Sequence, residues 1–117
     1  MRFIHSVKYA LKGIKCFIRR EKNGQLQLLA ALIVTGLGFF LKISKTEWTM
    51  VVICIALVLC LEMVNSAIEK LCNLVNKESH PEIRIIKDIS AGAVLTAAVA
   101  SLVIGAIIFW DRLISLF

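Results

Sequence analysis

Three long stretches without a charged residue alternate with short polar segments along the chain. They comprise residues 26–41, 50–61 and 89–110. Partly polar turns that follow the second stretch extend its predicted helix. An α-helix needs about 20 predominantly apolar residues to cross the hydrocarbon core of a bilayer. The pattern therefore predicts three membrane helices, over about residues 25–42, 49–71 and 88–110.

Apolar residues in the first twenty positions recur at helical spacing, with basic residues on the opposite side. The apolar positions are Phe3, Val7, Ala10, Leu11, Ile14, Phe17 and Ile18. This pattern predicts an amphipathic helix over about residues 1–20 that lies in the interface of an anionic leaflet. Because the segment is charged throughout, we expect no signal peptide. A basic amphipathic helix can also bind nucleic acid, but the apolar remainder of the chain belongs in a bilayer, so we expect no nucleic-acid partner.

Polar residues mark where the predicted helices end. The predicted breaks are Asn23-Gly24, a polar turn over 42–49, a turn at His80-Pro81, and Asp111-Arg112. The third of these follows from Pro81, because a proline disfavours the helical conformation of the residue before it. We expect the chain to become helical again near Glu82.

Composition and charge fix the class and the orientation. The chain has 117 residues, 59% of them hydrophobic, so we predict one domain over residues 1–117, an all-α integral membrane protein. The net charge is +6, and basic residues crowd the first 22 positions and the segment 70–88. Because basic residues favour cytoplasmic loops, both segments are predicted to face the cytoplasm, with residues 42–49 and the C-terminus outside. The four cysteines form no CxxC pair and are interpreted as packing residues.

Polar side chains follow the second apolar stretch on one side of the predicted helix. At about 100° per residue, Asn65 and Glu69 lie about 60° and 20° from Glu62, and Asn73 falls near the same line. These four residues are called the stripe below. Carboxylates at membrane depth are costly and normally face a partner, a cavity or an ion. The stripe is therefore a candidate functional site.

The stripe and the nearby charged residues suit phosphoryl transfer. Mg²⁺ takes oxygen ligands, commonly one or two carboxylates plus substrate phosphates, and Glu21 and Glu69 are candidates at the predicted cytoplasmic interface. Lys87, beside Asp88, can meet nucleotide phosphates as a point charge. Glu62 lies deeper, where a carboxylate can act as general base toward a lipid hydroxyl. The arrangement suits transfer of a phosphoryl group from ATP to a lipid alcohol.

Residues 62–69, Glu-Met-Val-Asn-Ser-Ala-Ile-Glu, closely resemble the signature E-x-x-N-[ST]-A-I-E of the prokaryotic diacylglycerol kinase family. That family comprises small membrane lipid kinases and includes undecaprenol kinases. Residues 87–94, Lys-Asp-Ile-Ser-Ala-Gly-Ala-Val, match a second segment of the family, and residues 9–13, 21–23 and 80–81 match further ones. The resemblance spans almost the whole chain, and the octapeptide together with Lys87-Asp88 is its most specific part.

The resemblance implies a homotrimer of three-span protomers, with sites formed between protomers, ATP as co-substrate and Mg²⁺ as cofactor. It assigns the role of catalytic base to Glu62 and places Mg²⁺ on Glu21 and Glu69. The nucleotide-binding residues it implies are Tyr9, Glu21, Asn65, Glu69, Glu78, Ser79, His80, Lys87 and Asp88. The residues it implies for the lipid substrate are Arg2, Lys12 and Met63.

Two positions depart from the family pattern. Gly24-Gln25 stands where the family usually has Phe-Arg, and Asn73 stands where it usually has Asp. The first departure removes an aromatic residue and a cation beside Glu21, and the second removes a carboxylate near the nucleotide. We expect weaker metal or nucleotide affinity, or a different lipid pocket, rather than an inactive enzyme.

Two other classes of function stay open beside the lipid kinase. One is a non-enzymatic membrane assembly subunit. The other is a small transporter subunit with the stripe as its ion path, which the lack of inverted repeats disfavours. For a kinase the acceptor is diacylglycerol or undecaprenol, and segments 80–81 and 89–93 are more similar to the undecaprenol branch. We expect the bacterial inner membrane as location, with the active site facing the cytoplasm.

Overall fold

The computed structural model describes residues 2–76, 78 and 80–117, which form four α-helices. The helices are α1 (Arg2–Arg20), α2 (Lys22–Leu41), α3 (Lys45–Val75) and α4 (Pro81–Leu116). Each of the last three is long and apolar enough to cross a membrane. α3 and α4 pack along each other, α2 packs against both, and α1 packs mainly against α2. An all-helical chain with three helices able to span is thus confirmed, and all three are longer than predicted.

The break between α1 and α2 falls at Glu21, so the break predicted at Asn23-Gly24 is wrong. Glu21 has extended backbone (φ −99°, ψ 114°) and is the N-cap of α2. Asn23 and Gly24 occupy the first turn of that helix. Both are tolerated there, because the first four backbone N–H groups of a helix have no intrahelical partner in any case.

The turn between α2 and α3 is shorter than the predicted 42–49. α2 ends at Leu41, its C-cap Lys42 has left-handed backbone (φ 53°, ψ 54°), and α3 begins directly after Ser44. The Ser44 hydroxyl accepts from the Glu47 N–H at 3.2 Å, and the Glu47 carboxylate accepts from the Ser44 N–H at 2.9 Å. This reciprocal cap satisfies two N–H groups and starts the helix four residues before the predicted one.

The cap of α4 explains where the helix starts. The helix begins at Pro81, where a proline costs nothing because the N–H it lacks would have no intrahelical partner. The His80 Nδ1 accepts from the Glu82 N–H at 3.1 Å and so caps the helix. The predicted turn at His80 and the helix near Glu82 both agree with this geometry.

The C-terminal end of α4 lies beyond the predicted one at Asp111-Arg112, and the helix continues to Leu116. Arg112 donates to the carboxylate of Glu47 in the first turn of α3, with its Nε 3.0 Å from Oε1. A charged pair does not break a helix when one member has a partner and neither Gly nor Pro follows. The contact also shows that α3 and α4 are antiparallel, because it joins the start of one to the end of the other.

The apolar core lies at this same end of the molecule. It is formed by the buried residues Leu41, Ile43, Val51 and Ile108. The indole of Trp48 covers Gly38 of α2, where a Cβ would lie 2.7 Å from the Trp48 Cη2. Glycine is therefore required at that position if the indole is to keep its place.

Much of the remaining apolar surface faces outward. Phe39, Phe40 and Leu102 are each more than 70% exposed in the single chain. In a bilayer such side chains face lipid or a neighbouring helix, so their exposure agrees with a membrane protein.

Candidate active site

The stripe runs from a buried carboxylate to an exposed one. Glu62 and Asn65 are 6% and 7% exposed, and with Ser90 of α4 they are the buried polar residues of the described chain. Glu69 is exposed. It lies seven residues from Glu62, or about 10 Å along the helix axis. The stripe thus connects the interior of the helix pair with its surface.

Asn65 lies between the two carboxylates along α3, and one of its two polar side-chain atoms has no partner within the described ranges. Its Nδ2 donates to the Glu69 Oε1 over 3.4 Å, which is long for a hydrogen bond. Its Oδ1 is buried and has no hydrogen-bond partner among the described residues. A buried acceptor left unpaired costs about 1–3 kcal/mol, so this oxygen fits a ligand that brings a donor or a cation.

Glu21 reaches the exposed end of the stripe from the corner between α1 and α2. The Lys70 Nζ lies 2.7 Å from the Glu21 Oε1, and Lys70 directly follows Glu69 in α3. Glu21 and Glu69 are both within electrostatic range of Glu62. The structure therefore brings three predicted carboxylates into one region. Lys70 was not predicted as a site residue, because its partner is 49 residues away and no local pattern signals the pair.

Lys87 of α4 joins the same region through the last turns of α3. Its Nζ donates to the Asn73 Oδ1 at 2.7 Å. The amide that replaces the usual family aspartate therefore still holds the lysine, by a hydrogen bond rather than an ion pair. The neighbouring Asp88 faces Arg84 at 3.6 Å, and both side chains are well exposed.

The Gly24-Gln25 departure from the family pattern builds the corner in which Glu21 lies. A Cβ on Gly24 would lie 2.5 Å from the Cζ of Phe17, the buried residue of α1. The Gln25 side chain donates from Nε2 to two carbonyl oxygens at the end of α1, at 3.0 and 3.1 Å. Gly24 admits the ring and Gln25 caps the helix, so this pair has a structural role that the sequence did not predict.

The segment between α3 and α4 lies at the same end as Lys87. The Glu78 N–H donates to the Asn76 Oδ1 at 2.9 Å, which shapes a local turn. Glu78 and His80 are exposed, and the imidazole of His80 caps α4. Ser79, predicted beside them, lies outside the described residues.

The predicted site residues of α1 are exposed in the single chain. They are Arg2, Tyr9 and Lys12. Among the described residues, the side-chain hydrogen bonds of the stripe are to Glu69 and Lys87 and do not involve these three. Met63, predicted for the lipid, is half-buried beside Glu62.

The carboxylates of the region suit a metal that is shared with a substrate. In the described part of the chain, no three His, Cys, Asp or Glu side chains are grouped closely enough to hold a metal ion. The oxygen donors present are the carboxylates of Glu21 and Glu69 and the unpaired Oδ1 of Asn65, whose Nδ2 contacts Glu69. This donor set fits Mg²⁺, which is usually held by one or two carboxylates plus water and phosphate oxygens.

Comparisons with known proteins identify the family of the chain. Residues 8–109 match the family model described as prokaryotic diacylglycerol kinase. The undecaprenol kinase of Bacillus subtilis (strain 168) is 38% identical over 112 residues, which cover 96% of this chain and 91% of that protein. The diacylglycerol kinase of Haemophilus influenzae is 32% identical over 108 residues, or 92% of each chain. That of Escherichia coli (strain K12) is 25% identical over 111 residues, or 95% of this chain and 91% of that protein.

The three apolar helices and these matches define a membrane lipid kinase. The family match covers most of the chain, and so do the relatives. The chain belongs to the prokaryotic diacylglycerol kinase family. The resemblance seen in the octapeptide is thereby confirmed, whereas the roles of individual residues stay predictions.

Proposed function

We propose that this protein transfers the γ-phosphoryl group of ATP to the primary hydroxyl of a membrane lipid. Diacylglycerol would give phosphatidic acid, and undecaprenol would give undecaprenyl phosphate. The observation that carries the proposal is the buried Glu62 two turns from the exposed Glu69, on a helix able to cross a membrane. A lipid hydroxyl arrives from the bilayer and ATP from water, and the stripe spans the distance between the two.

Glu62 is the general base in this proposal. Its carboxylate accepts the proton of the lipid hydroxyl as the oxygen attacks the γ-phosphorus and ADP leaves. Because Glu62 is buried, water has little access to compete with the lipid as acceptor. A positioned base of this kind contributes about 10²–10⁴-fold to a rate, and positioning of the two substrates supplies most of the rest.

The polar residues at the exposed end would bind the nucleotide. Glu21 and Glu69 would hold Mg²⁺, which when bound neutralises charge on the phosphates. Lys87, oriented by Asn73, adds a positive charge for those phosphates, and Asp88 lies next to it. The remaining members of the proposed nucleotide site are Tyr9, Asn65, Glu78, Ser79 and His80.

A second and third copy of the chain would complete the site. Arg2, Tyr9 and Lys12 are exposed on α1, and among the described residues none of them makes a side-chain hydrogen bond with the stripe of its own chain. In a homotrimer they would reach the site of a neighbour, with Arg2 and Lys12 at the lipid headgroup beside Met63. α1 would lie on the membrane surface, with its apolar residues in the interface.

The basic segments set the proposed orientation. α1 and residues 70–88 carry many of the basic residues, and this supports an orientation in which both segments would lie on the cytoplasmic side of a bacterial inner membrane. The exposed end of the stripe would then face the compartment that holds ATP. Residues 1–117 would act as one domain.

Undecaprenol is the acceptor to test first, because the undecaprenol kinase of Bacillus subtilis is more similar to this chain than the two diacylglycerol kinases reported above. Chain selectivity by an apolar pocket amounts to only about 1–3 kcal/mol per methylene, so both acceptors belong in the assay.

The proposal is tested by phosphate transfer from labelled ATP with Mg²⁺ in mixed micelles, with undecaprenol and diacylglycerol offered separately. Glu62→Gln serves as the blank. Asp111→Asn, an exposed acid at the far end of α4, serves as the matched control. Label in a lipid with wild type and control, absent in the blank, supports the kinase. Trimeric wild-type protein that labels neither lipid would refute it and favour an assembly subunit.

A further inference from the structure

The ion pair between Lys70 and Glu21 has no role in the reaction proposed above. The two atoms, Lys70 Nζ and Glu21 Oε1, are 2.7 Å apart, a strong charge-assisted contact. The Glu21 side chain is 26% exposed and that of Lys70 is 55% exposed. The carboxylate is therefore held by the lysine at one oxygen and is still open to water.

A divalent cation and an ammonium group cannot both make close contact with the same carboxylate without repelling each other. Glu21 lies in extended backbone at a helix corner, so its position is set by the fold. The lysine side chain has a flexible four-carbon stem and can swing away without moving α3. Of the two partners, the lysine is therefore the one that can move away when a cation binds.

We propose that Lys70 is an exchangeable cation on Glu21. It holds the carboxylate while no metal is bound and releases it when a divalent cation binds, so that it lowers the affinity of the site for that cation. The inference rests on the proposed function in taking Glu21 as a metal ligand. Lys70 is a positioning residue in this scheme and touches neither substrate.

Removing Lys70 separates this role from a purely structural one. If Lys70 competes with the metal, Lys70→Gln binds the cation more tightly, since both the competitor and its charge are gone. If Lys70 merely orients Glu21 for the metal, the same variant binds the cation more weakly. An exposed ion pair shifts an equilibrium by up to about fivefold, so the expected gain in affinity is about two- to fivefold.

The experiment measures Mn²⁺ binding to the full-length protein in detergent micelles, without lipid acceptor, from the electron paramagnetic resonance signal of free Mn²⁺. Lys70→Gln should lower the dissociation constant about two- to fivefold, and Lys70→Arg should restore the wild-type value. Lys22→Gln is the matched control, because it removes the same charge next to Glu21 from an exposed residue. Its Mn²⁺ affinity should rise less than that of Lys70→Gln, because Lys22→Gln removes a nearby charge but no contact with the carboxylate.

A double-mutant cycle with Glu21→Gln assigns the effect to the pair. In that background, adding Lys70→Gln should leave the Mn²⁺ affinity unchanged. Unchanged or weaker binding by Lys70→Gln, or wild-type binding by Glu21→Gln, would overturn the inference while lipid phosphorylation by wild-type protein still stood. Loss of the proposed function itself would instead appear as wild-type protein without phosphate transfer.

Discussion

We expect that a side chain at position 24 would destabilise the corner between α1 and α2, because the ring of Phe17 packs directly against Gly24. In Gly24→Ala the new Cβ would lie 2.5 Å from the Phe17 Cζ and 2.6 Å from its Cε2, where ordinary contact begins at 3.4 Å. The ring would have to move by about 1 Å or leave its site. Because Glu21 lies in the same corner, a displaced α1 would also disturb the proposed metal site.

Two estimates of the free energy lost in Gly24→Ala agree. Forcing an extra methyl group into a packed site costs about 1–3 kcal/mol. Expelling the phenylalanine ring instead forfeits its burial, about 1.5–3 kcal/mol. A value near 2 kcal/mol corresponds to roughly a 30-fold rise in the population with α1 undocked.

Limited trypsin cleavage after Arg19 and Arg20, in detergent micelles, reports that population. Gly24→Ala should be cleaved faster than wild type. Gly36→Ala is the matched control, since it lies in the same helix and its Cβ would meet nothing within 4 Å. In a Phe17→Ala background the effect of Gly24→Ala should vanish. Equal cleavage of the Gly24→Ala and Gly36→Ala proteins would refute the packing argument.

Two more predictions concern the helix ends. Glu47→Gln and Arg112→Met should each lower the thermal unfolding temperature in micelles. The double variant should unfold at nearly the same temperature as the less stable single variant, because both substitutions break the same contact. Additive losses would show that the pair does not act as a unit. His80→Leu should cost about 1 kcal/mol of stability by removing the cap of α4, and His80→Asn should preserve it. Equal unfolding temperatures for these two variants would contradict the capping role.

The sequence was enough to predict that the three apolar stretches form helices, because long uncharged stretches have few other stable conformations in a membrane. The residues at which these helices begin and end were harder to predict. The Ser44-x-x-Glu47 pattern is a capping box that the sequence shows openly, yet the polar residues around it suggested a turn. Asp111-Arg112 suggested a helix end, but Arg112 has a partner in Glu47, more than sixty residues earlier in the chain.

The candidate site also has a part that could be predicted from the sequence and a part that could not. The stripe follows from the period of the helix, so Glu62, Asn65 and Glu69 could be placed on one face from sequence alone. The contacts that bring in other elements could not, since Lys70 with Glu21 and Lys87 with Asn73 depend on how the helices pack. The role of Gly24 was hidden for the same reason, because only the packed corner shows the ring of Phe17 above it.

The most direct test of the account measures both turnover and Mn²⁺ binding on the same preparations of Glu62→Gln and Glu69→Gln. It asks whether Glu62 acts as the base and Glu69 as a metal ligand. Glu62→Gln should lose about 10²–10⁴-fold in kcat and keep its Mn²⁺ affinity, since the base acts on the lipid rather than on the metal. Glu69→Gln should lose Mn²⁺ affinity as well as activity. Near wild-type turnover in an assembled Glu62→Gln protein would contradict the assignment of the catalytic base and, with it, the proposed mechanism.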